Sequence, residues 1–277
     1  MTRGFYIFIL SLFILAGCSE YNRVRKKGTF EEKIKLAIEY YDSEDYFKSS
    51  TLLEDLLAET RGRKEAIKVN YYYALTQHRQ KQYIISGHHF KKIYETYPRS
   101  EYAEECKYLF AMSLYEMTPN FNLDQSNTND AIYAFQDYIN KYPETKRLTE
   151  CNTKIDELRA KLEKKAFQNA KYFYQVHRYK ASVISLDNFL KSFPGSRYSE
   201  EALYNKVLAQ YHLATNSLTV VVKDGKVIQL KRNRLREVTY FYLDFIDKYP
   251  ESRFGYDAEK LYSSTKNKLD NLNKINN

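Results

Sequence analysis

AIYAFQDYINKYPET, residues 131–145, decides the fold. Counting back from Pro143, Phe135, Tyr138, Ile139 and Tyr142 stand eight, five, four and one residues away, the spacing of one stripe on a helix. Proline ends that helix, because it lacks an N–H and restrains the residue before it. The same aromatic-Pro-x-Ser/Thr joint recurs as Tyr97-Pro98-Arg99-Ser100, Phe193-Pro194-Gly195-Ser196 and Tyr249-Pro250-Glu251-Ser252, each behind an apolar stripe of the same spacing. The hydroxyl two residues past each proline is a natural N-cap for the next helix. An acid follows seven residues past each proline (Glu105, Glu150, Glu201, Asp257), where a helix N-terminus favours negative charge. Each joint therefore reads as a helix stop and a helix start, and the chain as an array.

The prolines lie 45, 51 and 56 residues apart (98 to 143, 143 to 194, 194 to 250), longer than a bare tetratricopeptide unit of about 34 residues. A first unit without the proline fits the same register, with Leu53, Leu56 and Leu57 on the stripe and Arg61 at the proline position. The expected fold is all-α, a tetratricopeptide-like solenoid of five helix pairs. They are 30–41 with 46–59, 64–80 with 82–97, 101–117 with 128–142, 147–175 with 179–193, and 198–216 with 232–249. A closing helix at about 254–273 covers the last apolar face. The N-terminal pairs thus occupy about 30–142 and the C-terminal pairs about 147–273, in one domain from 30 to 277. Lys146 to Tyr174, free of Pro and Gly, reads as one extended helix.

Two stretches break the pattern. Pro119 to Asn129 is a polar, Asn-rich connection within the third pair. Thr219 to Leu230 (TVVVKDGKVIQL) places β-branched runs on both sides of Asp224-Gly225, and predicts a small β-hairpin inserted in the fifth pair.

At the N-terminus, Arg3, an apolar run from Phe5 to Leu15 and Leu15-Ala16-Gly17-Cys18 resemble a bacterial lipoprotein signal peptide (residues 1–17) with its lipobox. Cys18 is the expected lipid-attachment residue, followed by a lipidated tether over 18–29. Several acyl chains on one Cys give firm anchoring where a single chain does not. Ser19 after the Cys resembles outer-membrane sorting, so the body is expected to be anchored in the outer membrane and to face the periplasm. Arg23, Arg25, Lys26 and Lys27 either rest on lipid phosphates or stay solvated.

Lys and Arg exceed Asp and Glu by nine, but export removes nucleic acid as a partner and leaves anionic lipid or an acidic protein. Lys231, Arg232, Arg234 and Arg236 open a predicted helix, where cations are disfavoured, and so mark a candidate partner contact. Tyr71, Tyr72 and Tyr73 point about 100° apart on a helix and cannot all be core; an exposed one suits peptide binding. Cys106 and Cys151 both stand eight residues past a proline, where Ala202 and Ala258 stand in later units. Equivalent positions on successive packed helices are about 8–10 Å apart, too far for a disulfide, so both are expected as buried thiols.

The chemistry of an enzyme is missing. Five His are scattered, with none paired at the helical spacing of a zinc site, and no nucleophile elbow, phosphate-cradling Gly loop or ligand-spaced Cys pair occurs. No catalytic residue, metal or cofactor is expected.

With these features in view, the mature chain resembles the BamD (YfiO-type) family of outer-membrane lipoproteins in its Bacteroidetes-like version. The resemblance is strongest over Asn129 to Ala181, where Asp130-Ala131, Ala134-Phe135, Tyr142-Pro143-Glu144-Thr145, the helix through Leu158-Arg159-Ala160-Lys161-Leu162-Glu163, Tyr172-Phe173-Tyr174 and Tyr179-Lys180-Ala181 follow in order. It implies a non-enzymatic scaffold of the β-barrel assembly machinery. The implied partners are the POTRA domains of a BamA-like barrel subunit, for the C-terminal pairs, and unfolded outer-membrane proteins, for the N-terminal ones. Rival readings are a pilotin-like or cell-wall-linked tetratricopeptide lipoprotein, and a glycan-binding lipoprotein, which is usually longer and uses surface Trp that this chain lacks.

Overall fold

A computed structural model describes residues 20–216 and 226–274, and its elements there are helices. We number them α1 (Phe30–Asp42), α2 (Tyr46–Glu59), α3 (Ala66–Arg79), α4 (Tyr83–Thr96), α5 (Ala103–Glu116), α6 (Ser126–Lys141), α7 (Leu148–Gln175), α8 (Tyr179–Ser192), α9 (Ser199–Asn216), α10 (Lys226–Lys248) and α11 (Gly255–Lys274). The five expected pairs and the closing helix are all present. They divide into two compact units, one ending at Leu158 and one beginning at Arg159.

The proline joint is built the same way four times. The aromatic N–H bonds back to the helix (Tyr97 N to Ile93 O, 2.8 Å; Tyr142 N to Tyr138 O, 3.0 Å; Phe193 N to Phe189 O, 2.9 Å; Tyr249 N to Phe245 O, 2.9 Å). The aromatic carbonyl then accepts from the N–H of Ser100, Thr145, Ser196 or Ser252 at 3.0–3.2 Å. The next helix starts five residues past the proline, at Ala103, Leu148, Ser199 and Gly255, and α3 starts five past Arg61. One detail corrects the sequence reading: the hydroxyl lies three residues before the helix and is no N-cap. Instead Thr145, Ser196 and Ser252 accept from the N–H two residues on (3.3, 2.9 and 3.1 Å), a serine/threonine turn. Each then reaches a glutamate: Thr145 to Glu104 (3.1 Å), Ser196 to Glu163, Ser252 to Glu200 (2.6 Å). Glu104 and Glu200 each stand six residues past their own proline. At the matching place before Ser100 the chain has Ile67, and Ser100 Oγ is buried with no hydrogen-bond partner.

Within the first, second and fourth pairs the turn is short and left-handed. Glu44, Lys81 and His177 have φ of 64°, 62° and 59° between α1 and α2, α3 and α4, and α7 and α8. Such a residue ends a helix by letting the next N–H reach back to free carbonyls, as Gln82 N does to Gln77 O (2.9 Å) and Arg178 N to Phe173 O (2.8 Å).

In the first unit Leu52, Leu53 and Leu56 pack with Ile34, Val69 and Tyr73, then Phe90, Ile93 and Tyr94 with Ala103 and Cys106, then Phe135 and Tyr138 with Cys151, Ile155 and Leu158. In the second unit Phe167, Ala170, Leu186, Phe189 and Ala202 form one cluster, and Val207, Leu235, Val238, Phe245 and Ala258 another. The position eight past the joint is fully buried in every unit: Val69, Cys106, Cys151, Ala202 and Ala258. Cys106 and Cys151 are free thiols, and burial pushes them up to about 12 and about 11.

Helix α7 has 28 residues where α3 and α5 have 14. Fourteen residues are about four turns, so the insertion restores the same face. Phe167 and Ala170 consequently repeat, fourteen residues later, the register of Tyr108 and Ala111.

Two expectations fail. The β-hairpin does not form: Lys226 to Leu230, its second arm, is the start of α10, while residues 217–225 lie outside the described residues. The apolar stripe of Leu235, Val238, Tyr242 and Phe245 gives α10 enough packing to draw the preceding β-branched residues into the helix. The tether is also shorter than 18–29, because residues 20–27 are helical, with Val24 buried, Tyr21 on Tyr40 (ring centroids 5.8 Å) and Arg25 on Asp55 (3.0 Å). Thr29 then caps α1 in a reciprocal box with Glu32. Cys18 lies outside the described residues.

Candidate binding surface

The first unit carries two open grooves in matching register. One, of about 380 Å³, lies over α3 between α2 and α4 and includes Glu54, Leu57, Asn70, Tyr73, His89 and Lys92. The other, of about 440 Å³, lies over α5 between α4 and α6 and includes Lys91, Tyr94, Lys107, Phe110, Tyr133 and Asp137. Counted from their joints, Glu54 matches Lys91, Leu57 matches Tyr94, Asn70 matches Lys107 and Tyr73 matches Phe110. The repeat that built the core thus also builds a surface, apolar at the floor and charged at the lips.

In the first groove His89 Nδ1 lies 3.0 Å from Asn70 Oδ1, and Asn70 Nδ2 donates to Ala66 O (2.7 Å). Burial, with His88 and Lys92 nearby, pushes His89 down to about 4, so it is neutral. Its Nδ1–H therefore donates to the amide oxygen, and Nε2 is an acceptor. The His89 and Tyr73 rings pack edge to face, with centroids 4.9 Å apart. In the second groove the buried Lys107 ammonium pairs with Asp137 and lies 4.9 Å from the Tyr94 ring centre, while Tyr133 is 72% exposed at the lip. These are recognition chemistries: hydrogen bonding, cation–π contact and apolar shelter. The two described thiols stay protonated at neutral pH and are poor nucleophiles. Among the described residues no group of three His, Cys, Asp or Glu is placed to hold a metal ion.

The residues picked from the sequence fare unevenly. Tyr73 is buried and lines the first groove. Tyr71 and Tyr72 are half-buried, Tyr71 against Tyr102 (4.5 Å) and Tyr72 against Tyr41 (6.0 Å). A helix flanked on both sides by its neighbours has room for three successive aromatic rings. Lys231, Arg232, Arg234 and Arg236 lie more than a turn inside α10, because the helix begins at Lys226, so the dipole penalty does not fall on them. Arg236 is exposed; Arg232 donates to Leu272 O (3.3 Å), and the Arg234 carbonyl accepts from Gln210.

Sequence reasoning missed the exposed positions of the second unit. Ile184 and Tyr240 stand ten residues before their prolines, as Tyr133 does in the first unit, and are 52% and 68% exposed; Leu243 lies a turn past Tyr240. The proline ruler was the available signal, read on the face opposite the core.

A family model described as an outer membrane lipoprotein, YfiO, matches residues 37–221 and 174–273. Two outer membrane protein assembly factors named BamD are similar in part. The one from Caulobacter vibrioides is 25% identical over 120 residues, 43% of this chain and 39% of the relative; the one from Rickettsia prowazekii is 29% identical over 100 residues, 36% and 40%. The aligned stretches thus span about two fifths of those relatives' lengths. Among solved structures, the TPR2AB domain of yeast Sti1 with pHSP90 is similar at 11% identity, with a TM-score of 0.40 over 85% of this chain and 98% of that one.

Proposed function

Because this chain belongs to the YfiO family of outer membrane lipoproteins, we propose that it serves outer membrane protein assembly as a non-enzymatic scaffold, anchored through acylated Cys18 and facing the periplasm. The family match, running through both units from residue 37 to 273, carries this reading. No helix among the described residues is long and apolar enough to cross a membrane.

The paired grooves of the first unit suit an unfolded outer-membrane protein segment in extended form. Alternate side chains of such a segment meet the aromatic floor (Tyr73, Tyr94, Phe110), and the others meet the charged lips. The second unit offers Ile184, Tyr240, Leu243 and Arg236 to the POTRA domains of a BamA-like barrel subunit, beside Lys231, Arg232 and Arg234. Aromatic residues and Arg are enriched at interface centres. Depleting the chain in its host tests the proposal: folded β-barrel proteins should fall in the outer membrane while other lipoproteins stay in place. Unchanged barrel levels would reject it.

A further inference from the structure

We propose that the turn end of the first unit lies directly on the bilayer, with Phe47 and Ile84 seated in its interface beside the acyl chains. This rests on the reading of Cys18 as the lipid-attachment residue. Helix 20–27 runs antiparallel to α1: Tyr21 meets Tyr40 near the end of α1, whereas Arg25 meets Asp55 near the end of α2. Its first residue therefore points to the end of the unit where the α1–α2 turn lies. Cys18 precedes residue 20 by two residues, a reach of about 7 Å at most. Acyl chains on Cys18 must enter the membrane within that distance, so no long tether separates the bilayer from this end.

The same end is laced together across repeats and carries exposed apolar side chains. Gln80 Nε2 donates to Tyr46 O (3.0 Å), tying the α3–α4 turn to the start of α2, and Arg79 Nε donates to Tyr41 OH (3.4 Å). Phe47 and Ile84 occupy the same register, fourteen residues before Arg61 and Pro98, and are 76% and 77% exposed. Leu123, in the α5–α6 turn, is 55% exposed. Isolated exposed apolar residues need no explanation, but a repeated pair beside a lipid anchor does. Charges around them are mixed, with Glu20, Glu44 and Asp45 among Arg23, Arg79 and Lys81. Attraction to anionic lipid is therefore not the driving force; insertion of apolar side chains is.

The chain has no Trp, so one introduced indole reports its own surroundings. The full chain, acylated in cells, is purified as Phe47→Trp, Ile84→Trp and Arg99→Trp and reconstituted in phosphatidylcholine vesicles containing brominated lipid. Arg99 lies past the far end of α4, about 21 Å away from Ile84 along that helix. The expected result is a blue-shifted indole losing most of its intensity to bromine at 47 and 84, and an unquenched one at 99. Equal quenching at all three sites, none at any of them, or quenching that needs anionic lipid would overturn the proposal. Mass analysis separates the premise: an acylated Cys18 with unquenched 47 and 84 sinks only this inference, and a bare Cys18 sinks the anchor reading with it.

Discussion

Replacing the joint hydroxyls should have opposite effects at two positions that look alike in sequence. Ser252 accepts from Phe254 N (3.1 Å) and donates to Glu200 (2.6 Å), an acid in the first turn of α9. Ser252→Ala removes a hydrogen bond to a carboxylate, typically worth about 1.5–3 kcal/mol. Both side chains are half-buried, which places the loss at the low end, and the turn bond adds a few tenths, so about 2 kcal/mol is expected. Ser100 Oγ is buried without a partner because Ile67 stands where the glutamate belongs. Ser100→Ala removes only a desolvated hydroxyl and should be neutral or stabilising by up to about 1 kcal/mol. The two residues lie in different compact units, so native-state hydrogen exchange on α5 and α11 amides reads each one locally. A Ser100→Ala loss as large as that of Ser252→Ala would refute the joint as a repeated hydroxyl–glutamate clamp.

Four further outcomes follow from the geometry. Lys81→Gly and His177→Gly, which relieve left-handed backbone at φ 62° and 59°, should each stabilise by about 0.5–1 kcal/mol in urea titrations; a loss would mean the side chains hold the turns. His89 is held well below its ordinary value, so the unfolded chain binds more protons between about pH 6.5 and 4. Stability should be full above that window and fall through it by about 2 kcal/mol after screening, a fall that His89→Gln should flatten. Asp137→Ala leaves the 7%-exposed Lys107 side chain without its counter-ion; because Asp137 is itself 48% exposed, the cost should be about 2 kcal/mol, still more than Lys107→Met, as thermal melts will read. Cys106 and Cys151, with thiols raised by burial, should resist iodoacetamide at pH 8 until the chain unfolds; rapid native labelling of either would contradict their placement.

Much of the fold was legible because one residue type acts as punctuation. Proline cannot continue a helix, so four prolines and Arg61 set a register that placed every helix from α1 to α11 within about two residues, except the start of α10, and identified Cys106 and Cys151 as small core positions. The glutamate receiving the joint hydroxyl was hidden because it lies some thirty to fifty residues upstream, a tertiary partner no local rule selects. Asp224-Gly225 misled for the opposite reason: a strong local turn signal with flanking β-branched residues says nothing about the apolar stripe that extends α10 back to Lys226. The candidate surface was less legible than the core. Tyr71 to Tyr73 stood out by composition, yet each found a neighbour, while Phe47, Ile84, Tyr133 and Tyr240 looked ordinary until their equal register and exposure appeared together.

Affinity purification of the full-length chain from detergent-solubilised membranes, with its partners identified by mass spectrometry, tests the scaffold reading most directly. A BamA-like barrel subunit should co-purify, and exchanging Tyr240, Leu243 and Arg236 for Ala, Ala and Glu should reduce its recovery. Recovery of pilus or cell-wall components instead, with no barrel subunit, would contradict the account.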